Sequence, residues 1–152
     1  MQADQIARCA HESLRLFQFL LGGPDEAIPE LDNLDQHELE DLSQKTKDTL
    51  ASPSLFPHQL HELWRLKMTE LGWKWGFFFD EGRKEDPLLC EWEETPVGYQ
   101  SSRTFFHAMV VLLGIESGVI SGAVLKNYLE ATSEEKAMQE SQAVAKEITN
   151  EA

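Results

Sequence analysis

Between a set of backbone breaks, apolar residues recur every three or four positions along this chain, and that periodicity restricts it to a mainly helical fold. The breaks are Gly22-Gly23-Pro24, Ser52-Pro53-Ser54, Gly72, Gly114 and Gly118. All are residue types that stop helices or open loops. Ile6, Cys9, Ala10, Leu14, Phe17, Leu20 and Leu21 predict a first helix over residues 2–21, with a connecting loop over 24–34. Asp35-x-x-Glu38 predicts an N-cap and capping carboxylate for a second helix, whose face carries Leu39, Leu42, Thr46 and Leu50. Leu60, Leu63, Trp64, Met68 and Leu71 mark a third helix over residues 57–71. Phe105, Phe106, Met109, Val110, Leu112 and Leu113 mark a fourth, and residues 119–129 a shorter fifth. Thr132-x-x-Glu135 resembles a capping box for a last, polar helix carrying Ala137, Met138, Ala143, Val144 and Ile148, a docking arm or a frayed end.

One stretch breaks the helical pattern. Trp73-Lys74-Trp75-Gly76-Phe77-Phe78-Phe79 has strand composition, residues 80–84 read as a turn, and Leu88-Leu89-Cys90-Glu91-Trp92 as a return strand. A small β-hairpin is expected. The two-residue period would put Trp73 and Trp75 on one face, and Gly76 would allow close approach of a neighbouring strand or a ligand.

A length of 152 residues fits one domain, and no apolar run approaches the roughly 18 residues of a membrane helix. The amino terminus lacks the basic, apolar and small-residue order of a secretory signal, so a cytoplasmic location is expected. Cys9 and Cys90 are too few and too far apart for a disulfide framework or thiolate metal site, and both are expected as reduced core residues. The formal charge of −14 disfavours nucleic acid polymers. A small anion remains admissible, because salt confines distant charges to about 8 Å.

Ile6-Ala7-x-x-x-His11-Glu12-x-x-Arg15 and Leu60-His61-Glu62-Leu63-Trp64-x-x-Lys67-x-x-x-x-Gly72-Trp73-Lys74-Trp75-Gly76 resemble the RyR-type domain. That module is repeated in ryanodine receptors and found alone in bacterial and phage proteins. The resemblance covers residues 5–114. Downstream, Arg83 and Lys84 fit the family's basic turn, but Asp86-Pro87-Leu88-Leu89 stands where the family has His-Pro-x-Leu. Thr95-Pro96 replaces Leu-Pro, and Ser102-Arg103-Thr104 occupies the region of a polar pair. The resemblance implies an RyR-like domain over residues 1–114, with two helix pairs around a small hairpin. Residues 115–152 would then be a C-terminal helical extension packed on the domain or on a second copy. It also implies recognition of nucleotide-derived messengers, adenine nucleotides among them, by a sensor or a sequestering sponge in prokaryotic or phage immune signalling.

Beside the resemblance, the residues themselves offer rings and cations. Trp64, Trp73, Trp75 and Trp92 are candidates for stacking on a base, a contact worth about 1–3 kcal/mol. Arg15, Lys67, Arg83 and Lys84 are candidates for neutralising phosphate. Each has a plainer reading: the tryptophans as core anchors, the lysines and Arg83 as solvated charges, Arg15 as the salt-bridge partner of Glu12. His11 and His61 each precede a Glu without the second His of a zinc protease motif, and His58-x-x-His61 lacks a third ligand. They are expected to make structural hydrogen bonds. No Gly-rich phosphate loop or nucleophile elbow is present, so no catalytic residue, metal or cofactor is assigned. The expectation is non-catalytic binding of an adenine-containing or cyclic nucleotide, with a possible homodimer. The alternative is a protein-interaction module using the aromatic hairpin and the C-terminal helix.

Overall fold

The computed structural model describes residues 1–22 and 28–151, apart from the side chains of residues 132–137, 139, 140 and 151. Among the described residues there are five α-helices: α1 (Ala3–Leu20), α2 (Gln36–Ala51), α3 (Pro57–Glu70), α4 (Val97–Glu116) and α5 (Ala123–Glu151). Short 3-10 turns at Leu31–Asn33 and Trp92–Glu94 precede α2 and α4. None of these helices is long and apolar enough to cross a membrane.

The core is where α1, α2 and α4 meet. Ile6 and Ala10 of α1 lie against Phe106 and Val110 of α4, and Leu42 and Leu50 of α2 close the third side. Burying side chains such as Ile6 or Val110 contributes about 1.5–3 kcal/mol each. Thr46 and Thr49 are fully buried on α2. Their hydroxyls donate to the carbonyls of Leu42 and Lys45, each at 2.9 Å, which removes the cost of facing a polar group into the core. Gly114, read above as a break, lies inside α4. A Cβ there would sit 2.9 Å from Leu50 Cδ2 and 3.1 Å from Ile120 Cγ1, so its role is close packing and not termination.

The expected capping box opens α2: Glu38 N donates to Asp35 Oδ1 at 2.8 Å and Asp35 N to Glu38 Oε2 at 2.9 Å. Pro57 occupies the first turn of α3, where its missing N–H costs nothing. Gly72 (φ 90°) ends α3, with Gly72 N donating to Thr69 O and Trp73 N to Met68 O, both at 3.0 Å. Gly118 (φ 76°) ends α4 with the same double closure. Of the expected stop Gly22-Gly23-Pro24, Gly22 (φ 75°) follows α1 with its N donating to Phe19 O at 3.0 Å, and Gly23 and Pro24 lie outside the described residues. Helix α5 runs unbroken through Thr132, where a separate helix was expected to begin. The side chains of that capping box, Thr132 and Glu135, and of Ala137 lie outside the described residues.

The segment between α3 and α4 forms no strand among the described residues. In place of a hairpin ladder there are two isolated bridges, Lys74 with Glu85 and Asp80 with Glu85. Glu85 therefore serves both sides of the loop, and the chain coils around it instead of running alongside a partner. Trp73 and Trp75 consequently part company: Trp73 stacks on Phe79 (5.7 Å between centroids), while Trp75 meets Phe77 edge-on. Gly76 does allow a close approach, by the Glu85 side chain: a Cβ would fall 2.6 Å from Glu85 Cβ and 2.7 Å from Oε2. Cys9 and Cys90 are free thiols, partly and not fully buried.

Tyr128 ties α5 to the body. Its hydroxyl accepts from His107 Nε2 at 2.9 Å and reaches the carbonyls of Leu55, at 2.8 Å, and Pro53. His107 Nδ1 is buried without a hydrogen-bond partner among the described residues. Burial, assisted by the Arg103 charge, pushes the His107 pKa down from 6.5 to about 4. Burial also lowers His61.

A histidine depressed on folding binds its proton more readily in the unfolded chain, so its contribution is complete above pH 6.5 and is lost as pH falls through about 4. His107 should account for about 3 kcal/mol of that loss. Urea unfolding between pH 7 and pH 4 should show a shallower decline for His107→Gln than for the wild type; parallel declines would contradict the assignment. Gly76→Ala should cost about 1–3 kcal/mol through overpacking against Glu85. Gly82→Ala serves as the comparison, since its nearest neighbour would be Asp80 Oδ1 at 3.4 Å. Equal stability of the two variants would remove the packing role of Gly76.

Candidate functional site

Helices α2 and α3 flank the start of α4 without closing on each other, and the space between them is a cleft of about 1100 Å³. Helical spacing decides what enters it. His37, Asp41 and Lys45 are four apart on α2 and line one wall. Trp64, Lys67 and Met68 line the facing wall from α3, and Tyr99, Arg103 and Phe106 rise from α4 beneath them. The loop before α4 supplies Phe79 and Asp86. Phe79 is placed by rings on both sides, Trp73 behind it and His37 of α2 at 5.1 Å.

The cleft floor is charged. Lys45 is largely buried, with 21% of its side chain exposed, and its ammonium pairs with Asp41 at 2.5 Å. Burial and then the Arg103 charge lower the Lys45 pKa, with Asp41 and Asp86 opposing them. Burial raises the Tyr99 phenol, and Asp41 and Asp86 reinforce that against Arg103. The Arg103 guanidinium lies 5.6 Å from the centroid of the Phe106 ring. Among the described residues it has no carboxylate within 4.0 Å. A desolvated lysine next to an unpaired arginine is an arrangement that an anionic group would relieve.

Of the eight sequence candidates, Trp64 and Lys67 line this cleft and the other six do not. Arg15 hydrogen-bonds Glu12 at 2.7 Å and approaches Glu30 at 3.6 Å, beside a separate cavity of about 610 Å³. Burial pushes Glu12 upward, but the hydrogen bond and charge of Arg15 outweigh it and the net shift is downward. Trp92 packs with Tyr99 around His61, its ring 5.6 Å from the imidazole. Trp73 stands behind Phe79, and Trp75 is half exposed. Lys84 donates from Nζ to Leu71 O at 2.8 Å, at the carboxyl end of α3. Arg83 is exposed and 3.8 Å from Asp80. The two histidines make the structural bonds expected of them: His11 Nε2 donates to Pro29 O and His61 Nε2 to Cys90 O, both at 2.9 Å.

Lys45, Tyr99 and Arg103 were not among the candidates. The i, i+4 pair Asp41–Lys45 was visible on the second helix. Tyr99 was hidden because α4 begins at Val97, two turns before the apolar run that marked it, and Arg103 was named only in the segment set against the family's polar pair. Pro96 caps that start, and Gln100 Nε2 reaches back to Trp92 O at 2.8 Å and Thr95 O at 3.1 Å. No group of three His, Cys, Asp or Glu side chains suited to a metal ion occurs among the described residues.

In comparisons with known proteins, no family model, no curated protein and no solved structure matches the chain.

Proposed function

We propose that the chain binds a nucleotide-derived small molecule, without transforming it, in the cleft between α2, α3 and α4. The observation that carries this reading is the convergence of aromatic surface and uncommitted positive charge: Trp64, Tyr99 and Phe79 with Arg103 and Lys67. A base can stack on the rings while an anionic group meets the guanidinium. The RyR-type assignment is part of the same proposal and is supported by the two sequence patterns, the first on α1 and the second running from α3 into the loop that follows it. A cytoplasmic role in prokaryotic or phage immune signalling, as sensor or sponge and as a homodimer, is proposed from that resemblance alone.

A second reading has its own observation. Phe77 and Phe78 are 80% and 81% exposed beside the half-exposed Trp75, which favours a protein contact at the aromatic loop.

Thermal unfolding with adenosine, AMP and cyclic AMP separates the two readings. Bound ligand should raise stability by mass action, about 2.7 kcal/mol at a hundredfold excess over Kd. Trp64→Ala should weaken binding by about tenfold, within the range of one stacking contact. Phe77→Ser combined with Phe78→Ser should leave it unchanged. No stabilisation by any of the three, or unchanged binding by Trp64→Ala, would overturn the cleft as a nucleotide site.

A further inference from the structure

Charge inside the cleft is unevenly distributed. Its lining carries six carboxylates, Asp35, Glu38, Glu40, Asp41, Asp48 and Asp86, against three cations, Lys45, Lys67 and Arg103. Lys45 is already paired with Asp41. Lys67 is exposed on α3. Arg103 is partly buried and, among the described residues, is the one cation of the floor without a carboxylate within 4.0 Å. Phe106, itself 3% exposed, lies beneath the guanidinium, its ring centroid 5.6 Å from the Arg103 Cζ.

The floor therefore has one vacancy for negative charge. A second or third negative charge on the same ligand adds repulsion from the acidic lining, in which Asp86 acts on the same Lys45 and Tyr99 groups that feel Arg103. Set among carboxylates in this way, a single cation favours a monoanion over a dianion or polyanion. The carboxylates suit the other half of such a ligand, because they accept hydrogen bonds from exocyclic amino groups.

We propose that the cleft selects nucleotides whose phosphate is a diester with a single negative charge, seated on Arg103, and discriminates against terminal mono-, di- and triphosphates. The proposal rests on the nucleotide reading above and narrows it. Arg103 would be the residue that sets specificity, with Asp86, which has no ion pair among the described residues, as the repelling element.

Calorimetric titration of the full chain with cyclic AMP, AMP, ATP and uncharged adenosine, at one ionic strength, tests it. Cyclic AMP should bind at least tenfold more tightly than adenosine, AMP or ATP. Arg103→Gln should bring cyclic AMP down to the affinity of adenosine while leaving adenosine within about twofold of its wild-type value, a change of less than 0.5 kcal/mol. Arg83→Gln should alter neither. The ranking in the wild type needs no variant and so stands even if Arg103→Gln fails to fold. AMP or ATP binding as tightly as cyclic AMP would overturn the proposal and leave the nucleotide reading intact. So would a folded Arg103→Gln that keeps the preference for cyclic AMP over adenosine. Failure of all four ligands to bind would overturn both.

Discussion

The packing of Phe106 is the constraint on which the rest of the molecule depends. This ring is buried against Ile6, Ala10 and Val110, so it belongs to the core that joins α1 to α4. It is also the floor of the cleft, and Arg103 lies over its outer face. Core and site are thus one structure. Any change that shifts α4 to repair the core also moves the guanidinium, and the cleft cannot be tuned without cost to packing. The neighbouring helices are held unequally. Helix α2 is drawn tightly to α4 because Gly114 leaves room for Leu50, whereas α3 is attached mainly through Leu60 and His61 near its first turn. The opening between α2 and α3 follows from that inequality.

An acidic protein with a formal charge of −14 is an unpromising host for an anion, and the cleft lining is itself acidic. What distinguishes the floor is the commitment of its charges. Asp41 is satisfied by Lys45, while Arg103 is left over a ring; outside the cleft, Arg15 is taken up by Glu12 and Lys74 approaches Glu85 at 3.8 Å. Local commitment matters more than net charge, because a partly buried charge is screened less than those spread over the surface. The same accounting separates the basic turn from the site: Arg83 and Lys84 already serve Asp80 and the end of α3.

Much of the helical frame was legible in the sequence, and the reasons are local. The Asp35-x-x-Glu38 box and the Gly72 stop depend on side chains and φ values within a few residues, so sequence spacing captures them. The structural roles of His11 and His61 followed from the need of buried imidazoles for partners. What spacing could not show was tertiary. Residues 97–104 hold Gly98, Gln100, Ser101 and Ser102, a weak helical pattern tied to the preceding turn by the Gln100 contacts with Trp92 O and Thr95 O. Missing those two turns hid Tyr99 and left Arg103 out of the candidate cations. The aromatic run at 73–79 carries strand composition, yet its backbone groups bond around Glu85, which no two-residue period can reveal. Trp64 and Lys67 line the cleft from a regular helix, whereas Trp73, Trp75 and Trp92 lie outside it on the segment between α3 and α4, whose course no simple period gives.

The central claim is that a nucleotide enters between α2, α3 and α4 and not at the aromatic loop, and the four indole N–H signals report this directly. Proton–nitrogen NMR during titration with cyclic AMP should move the Trp64 indole and the Arg103 Nε–H resonances together. The half-exposed Trp75 should stay in place. Saturating shifts at Trp75 with Trp64 and Arg103 unmoved would contradict the account and put the binding surface on the loop.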